Sequence, residues 1–249
     1  MQKNDFIVIT TQRTGSSMFL DILDGYQNIE GHMELFLDQE RKSPAMAGKN
    51  DYPRYFEWNK GDLKVRPFSV FRYLSDLYAR DSSVGFKLMY SHLRKYPEIL
   101  VFIAYKRLKV IHLIRNNFLD IVISEKLAEL SGKSHTTSST ETNSHTIHLE
   151  PSEVLSRVKK LDDNTQFIRK LIAFMKMNSC IEIYYEDLLQ NTSIAMVEVK
   201  NFLNIEITSE QKVSNLIKRQ TKNKNNLISN YDELKNAFSF TEYKSLINN

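Results

Sequence analysis

Four short apolar runs punctuate the chain: Phe6–Thr10, Val84–Met89, Val110–Ile114 and Ile181–Tyr185. Each is rich in Ile, Val, Phe or Tyr. The first and third are nearly continuous, the pattern of strands covered on both faces. Between the runs, apolar residues recur at helical spacing. Thr14–Tyr26 sets Met18, Phe19, Ile22, Leu23 and Tyr26 on one face, and Phe118–Leu130 aligns Phe118, Ile121, Val122, Glu125 and Ala128. Pro151–Met177 reads as one helix or two, with Pro151 in the first turn beside Ser152 and Glu153. Strands alternating with helices predict an α/β fold, a central parallel sheet with helices on both faces. No internal repeat or domain boundary is visible, so residues 1–249 read as one domain.

Two stretches break the pattern. Residues 38–62 are charged and aromatic, punctuated by Pro44, Gly48, Pro53 and Gly61. Their rings Tyr52, Tyr55, Phe56 and Trp58 read first as packing, with a sugar-stacking wall as the alternative. Residues 131–150 are rich in Ser, Thr, His and Asn and carry too little apolar surface to order themselves. They read as a flexible loop, with a ligand-ordered lid as the alternative. His135, His145 and His148 in it show no metal-ligand spacing.

Composition narrows the class. Of 249 residues, 41% are hydrophobic and 26% charged, ordinary values for a chain with a core. Gly and Pro number only 7 and 5, which excludes collagen-like, linker-like and globally disordered chains. The single cysteine, Cys180, excludes an intramolecular disulfide and a cysteine-based zinc site, and fits a reduced, cytoplasmic setting. No apolar stretch reaches membrane-spanning length, and Phe6–Ile9 is too short for the core of a signal peptide. The net charge of +4 suggests affinity for anions, whether polynucleotide, anionic lipid or a small phosphorylated ligand.

The segment Thr11-Gln12-Arg13-Thr14-Gly15-Ser16-Ser17 leaves the first strand and opens the first helix. At such a junction free helix N–H groups and the helix dipole favour anions. Gly15 permits close backbone approach, Ser16 and Ser17 add hydroxyls, and Arg13 adds a permanent cation with fork geometry. Together they describe a phosphate cradle. It is neither a Walker A loop, because no Lys follows the glycine, nor a three-glycine dinucleotide fingerprint. The bland alternative is an ordinary N-cap by Thr14 or Ser16.

A second constellation follows the third run. Ile111-His112-Leu113-Ile114-Arg115 ends a strand, Asn116-Asn117 turn the chain, and Ser124 lies about two turns into the next helix. An Arg at that strand end points to the crevice where α/β sheets bind ligands, and Ser124 offers a second donor. Alone, Arg115 reads as readily as a partner for a surface carboxylate. Taken with the first cradle, the pair suits a ligand with two separated phosphates.

These motifs resemble those of the sulfotransferases that use 3′-phosphoadenosine 5′-phosphosulfate, and most closely the bacterial carbohydrate type, such as nodulation-factor and trehalose sulfotransferases. Arg13-Thr14-Gly15-Ser16-Ser17 matches the segment that binds the 5′-phosphosulfate, with Met18 adjoining it. Arg115 and Ser124 match the 3′-phosphate motif, with a spacing one residue longer than in cytosolic animal enzymes and with Asn117 and Leu119 as neighbours. Ile183-Tyr184-Tyr185-Glu186-Asp187-Leu188 is similar to the family's Tyr-Glu-Asp-Leu segment, whose tyrosine (here Tyr185) reaches the adenine region. The helix ending Asn201-Phe202-Leu203 is also family-like. Lys218-Arg219-Gln220-Thr221-Lys222 through Ile228-Ser229-Asn230-Tyr231 resembles the basic segment that folds over the 3′-phosphate, which brings in Lys222.

The resemblance implies a P-loop-like three-layer sandwich and in-line sulfuryl transfer to a hydroxyl of a carbohydrate or glycolipid. The nucleotide serves as co-substrate and no metal is required. Arg13 is expected to stabilise the leaving oxygen, a role worth roughly 3–4 kcal/mol. Glu34, in the Glu-x-Phe context Glu34-Leu35-Phe36, leads as general base, with His32 and His92 as alternatives. Lys87 is expected at a strand edge, touching the sulfuryl group. Two other classes compete. A nucleotide kinase or NTPase on a similar sheet lacks its Lys after Gly15 and an acidic strand end. A non-enzymatic anion or nucleic-acid binder lacks a dense basic stripe with aromatics.

Overall fold

The computed structural model describes residues 3–38, 52–60, 65–131, 146–175, 179–205 and 224–248. In chain order the elements are β1 (Phe6–Thr10), α1 (Ser16–Asp24), β2 (Ile29–Glu34), α2 (Tyr55–Trp58), α3 (Phe68–Leu77), β3 (Ser83–Met89), α4 (Tyr90–Lys95), α5 (Glu98–Lys106), β4 (Lys109–Ile114), α6 (Phe118–Ser131), α7 (Pro151–Phe174), β5 (Cys180–Tyr184), α8 (Tyr185–Gln190), α9 (Thr192–Leu203), α10 (Lys224–Leu227), α11 (Tyr231–Ser239) and α12 (Ser245–Asn248). They divide into two compact units, Met1–Ile114 with Ile168–Ser214, and Arg115–Phe167 with Asn215–Asn249.

The first unit holds the sheet. Its order is β2-β3-β1-β4-β5, and each neighbouring pair is parallel. β1 lies in the middle, which is why all five of its residues are apolar or buried. Alternation sorts its side chains. Phe6 and Val8 join Phe19, Leu20 and Leu23 of α1 and the α9 residues Met196 and Val199 on one face. Ile7 and Ile9 join α3, α5 and the end of α7 on the other, among them Val70, Leu74, Ile99, Phe102, Ile168 and Ile172. Each such side chain removed from water contributes about 1.5–3 kcal/mol. Gly85 is required in β3: a Cβ there would sit 2.2 Å from the Phe6 ring of its register partner.

The expected fold class is the observed one, with one strand more than predicted. β2 was hidden because its sequence, Ile-Glu-Gly-His-Met-Glu, is buried only at Ile29 and His32 and half-buried elsewhere, instead of running apolar. It is an edge strand, and only one side of it needs to be buried among neighbours. Boundaries also differ. Helix α1 begins at Ser16, not Thr14, because Arg13 and Gly15 hold positive φ angles that cannot continue a helix. Tyr185 opens α8 instead of closing β5. The 151–177 pattern is a single helix ending at Phe174.

The second unit has its own core, built from α6, the first part of α7, and α10 to α12. Leu119, Ile121, Val158, Leu161, Leu234 and Phe238 lie at its centre. The predicted loop 131–150 is only partly a loop. Ile147 is buried and forms a parallel bridge with Ile228, and the Asn230 side chain accepts from the Leu149 N–H and donates to its carbonyl. Residues 132–145, with His135 and His145, lie outside the described residues.

Candidate active site

In a parallel sheet the C-terminal strand ends carry the ligand crevice. β1 delivers Thr10 there, and the loop that follows alternates in hand: Arg13 has φ +61°, Thr14 a negative φ, and Gly15 φ +74°. Such alternation turns successive N–H groups to one side, the geometry of an anion nest. A non-glycine residue in the left-handed region costs on the order of 1 kcal/mol or more, so the fold spends stability to place Arg13. The Thr14 hydroxyl is buried and lies 2.6 Å from that of Thr10, which donates to the Leu113 carbonyl. Thr14 therefore ties the loop, through the Thr10 hydroxyl, to β4. The N-cap of α1 is Gly15, which has no side chain to bond the first turn, so neither Thr14 nor Ser16 acts as the ordinary cap. Ser16 is buried, Ser17 half-buried, and Met18 packs against the α1 face of the core.

Gly15 also meets Tyr185. A Cβ at Gly15 would lie 2.4 Å from the Tyr185 ring carbons. The first residue of α8 thus seats its ring directly on the cradle glycine.

The next cluster forms at the ends of β2 and β3. Ile29 and Met33 pack on the α1 side of the sheet, whereas His32 faces the other side, its ring edge-on to Tyr52. Strict alternation would send Glu34 the way of His32. A register shift between His32 and Glu34 interrupts it and brings Glu34 level with Lys87. Bulges of this kind re-aim side chains near active sites. Glu34 and Lys87 pair at 2.9 Å. Lys87 is not at a strand edge as expected but within β3, 5% exposed. Burial raises the Glu34 carboxyl, but Lys87 outweighs it, with His92 and Arg54 assisting, and the group ends below its ordinary value. It is a carboxylate at neutral pH.

His92 lies on α4, 7% exposed, with Glu34, Lys87, Asp38 and Lys95 in its electrostatic surroundings. Burial lowers its basicity, and Glu34 opposes that only in part. Its Nδ1 is buried without a hydrogen-bond partner among the described residues. Three of the four expected catalytic residues therefore fall in one neighbourhood. His32 belongs to another, 3.7 Å from Glu30, which is itself held by Arg80 and Ser82.

The Glu-x-Phe context has a packing explanation. Phe36 is buried and touches the rings of Tyr55, Tyr73, Phe86 and Tyr96, which anchors the chain just after Glu34. Tyr52, Tyr55 and Trp58 pack in or against the same cluster, so the packing reading of these aromatics holds; Phe56 alone is exposed.

In the second unit, Arg115 donates to Asp120 at 2.7 Å, and Lys224 lies 3.3 Å from the other oxygen of the same carboxylate. The Arg115 side chain is only 11% exposed, so this is no surface pair. Burial lowers Lys224 and Asp120 opposes it. The N–H of Asp120 is in turn held by Asn117 Oδ1. Ser124 is half-buried on α6. Lys222, with Lys218 to Thr221, lies outside the described residues; Lys224 was missed, although it ends the same basic run.

The fold belongs to a known class. The sequence matches the family model for the sulfotransferase domain over residues 3–247, so the chain belongs to that family, a family of transferases. Among solved structures, a sulfotransferase from Alicyclobacillus acidocaldarius matches at 13% identity, covering 100% of this chain and 97% of that one, with a TM-score of 0.50. Mouse sulfotransferase SULT7A1 complexed with PAP matches at 11% identity and TM-score 0.47, covering 84% of this chain; this chain spans 61% of that protein. The sulfotransferase domain from the curacin biosynthetic pathway matches at 15% identity and TM-score 0.48, covering 90% and 80% of the two chains. No curated protein sequence matches. Among the described residues no helix is long and apolar enough to cross a membrane.

Proposed function

We propose that the protein transfers a sulfuryl group from 3′-phosphoadenosine 5′-phosphosulfate to a hydroxyl of a carbohydrate or glycolipid acceptor in the cytoplasm. The observation that carries the reading is the Glu34–Lys87 pair at 2.9 Å, beside His92, in a chain of the sulfotransferase family. An ionised carboxylate can accept the acceptor's proton, and the ammonium beside it can face the charge on the sulfuryl oxygens.

In the proposed reaction the acceptor oxygen attacks sulfur in line. The new S–O bond forms as the bond to the 5′-phosphate oxygen breaks. The proton of the acceptor passes to Glu34, and adenosine 3′,5′-bisphosphate leaves. Arg13 and the N–H groups of the cradle neutralise the departing 5′-phosphate, and Ser16, Ser17 and Met18 border it. As Lys87 turns to the sulfuryl oxygens it releases Glu34, whose basicity rises when it is needed. Tyr185 serves the adenine. Arg115 takes the 3′-phosphate, its fork oriented by Asp120, with Ser124, Lys222 and Lys224 as further donors.

The acceptor class rests on the resemblance to bacterial carbohydrate enzymes and on the glutamate in its Glu-x-Phe setting. The test is thermal denaturation with adenosine 3′,5′-bisphosphate. A ligand at 100 times its Kd stabilises by about 2.7 kcal/mol, visible as a shift of several degrees. The shift should appear in EDTA and be absent with magnesium ATP at the same concentration. No shift at millimolar bisphosphate overturns the reading.

A further inference from the structure

Helix α4 carries His92 but has little that holds it in place by itself. It spans six residues, and its N-cap Met89 supplies no side-chain bond. Helices this short do not persist on their own. Two tyrosines pin its ends instead. Tyr96, just after its last residue, donates to Asp38 at 2.6 Å beneath the Arg66 guanidinium. Tyr90, its first residue, places its hydroxyl 2.6 Å from Nε2 of His112.

His112 is fully buried on β4, opposite Glu182 in the β4–β5 register. Its Nδ1 lies 3.2 Å from Glu182 Oε1. Glu182 accepts two bonds from the Arg169 fork, at 2.8 and 2.9 Å, and a third from the Tyr184 hydroxyl at 2.9 Å. A carboxylate so held is ionised and can only accept. The proton of the imidazole therefore sits on Nδ1, facing it. Nε2 is then an acceptor, and the Tyr90 O–H must donate to it. The direction of every bond in the chain follows from the Arg169–Glu182 pair at its outer end.

We infer that the chain Arg169–Glu182–His112–Tyr90 is a positioning device for the reaction proposed above: it fixes the first turn of α4 and so holds the His92 ring beside Glu34 and Lys87. The sequence connection is short. Tyr90 is three residues after Lys87 and two before His92. The inference rests on the sulfuryl-transfer reading for its purpose, but not for its geometry.

The experiment uses Tyr90→Phe in the full chain, which keeps the ring and removes the hydroxyl. Two quantities are read: the imidazole titration of His92 by ¹⁵N NMR, and the rate of adenosine 3′,5′-bisphosphate formation from the sulfuryl donor alongside the Kd of that product. Glu34, Lys87, Asp38 and Lys95, the charges around His92, are unchanged in the variant. The His92 midpoint should rise as its ring gains water. The rate should fall at least tenfold with the Kd within twofold. Arg169→Gln should give a smaller change in the same direction, and Arg169→Lys should recover part of it; these half-exposed substitutions serve if Tyr90→Phe does not fold. A His92 titration identical to that of the parent in the folded variants overturns the inference. The titration needs no donor, so a parent chain that never consumes the donor defeats the functional reading while the NMR arm still decides the positioning.

Discussion

The first unit contains two buried polar clusters, and they are built on opposite rules. On the α3–α5 side, His112 has a partner at each ring nitrogen and Glu182 is met by Arg169 and Tyr184. At the ends of β2 and β3, the Glu34–Lys87 pair lies beside His92, whose buried Nδ1 lacks a hydrogen-bond partner among the described residues. A satisfied network rigidifies; a buried polar atom left over costs about 1–3 kcal/mol and calls for an explanation. The first cluster explains a shape. In the reaction proposed above, a substrate completes the second.

The sharpest way to break this comparison is to change each cluster in turn. Glu34→Gln should lower donor turnover by about 10²–10⁴-fold while adenosine 3′,5′-bisphosphate binds within threefold of the parent, as loss of a general base requires; steady-state rates and calorimetry check it. Next in size, Arg115→Ala should weaken the bisphosphate by roughly 10–100-fold, the worth of a charge-assisted bond. The same substitution should leave adenosine 5′-phosphosulfate, which lacks the 3′-phosphate, nearly unaffected. Gly15→Ala should weaken both nucleotides about tenfold or more, because the new methyl meets Tyr185 and the backbone is left-handed. Gly15→Ala with Tyr185→Ala should recover only part, since the φ strain remains.

The satisfied cluster should show itself in stability. Burial pushes His112 down to about 4 from 6.5, and Glu182 opposes this only in part because Arg169 already neutralises it. The unfolded chain thus binds a proton below pH 6.5 that the folded chain refuses until about pH 4. Stability falls as pH drops through that window, by about 3 kcal/mol at most for the 2.5 units between the two values. Glu182, lowered to about 2 from 4.5 although burial raises it, because Arg169 and Tyr184 win, adds a loss below pH 4.5. Denaturant melts from pH 7 to 4 should show the slope, and His112→Gln should flatten it.

Much of this architecture could be read from the chain, and the exceptions share a cause. β1 and β4 are apolar at nearly every position because they are covered on both faces, so their runs stand out. β2 has a half-polar sequence because it lies at the sheet edge, and its one register shift, which aims Glu34 at Lys87, leaves no trace in residue type. The turn from β1 into α1 was legible because a lone glycine between Arg-Thr and Ser-Ser marks it. Lys87 was legible as a residue but not as a buried one. The Tyr90–His112–Glu182–Arg169 chain was invisible: its members come from four elements, α4, β4, β5 and α7, separated by up to 92 positions, and the β4–β5 register sets His112 opposite Glu182. Asp120 and Lys224 were missed for the same reason, a carboxylate and an ammonium far apart in sequence that meet at Arg115.

The central claim is that the Glu34–Lys87 cluster transfers a sulfuryl group. The most direct measurement follows ³⁵S from labelled 3′-phosphoadenosine 5′-phosphosulfate into a panel of free sugars and glycolipids, in EDTA, with the parent chain and Glu34→Gln. The account predicts a labelled sulfate ester on a carbohydrate hydroxyl, matched mole for mole by adenosine 3′,5′-bisphosphate, and its near-absence with Glu34→Gln. Equal transfer by the two proteins, or no release of the bisphosphate by the parent from a donor it binds, contradicts it.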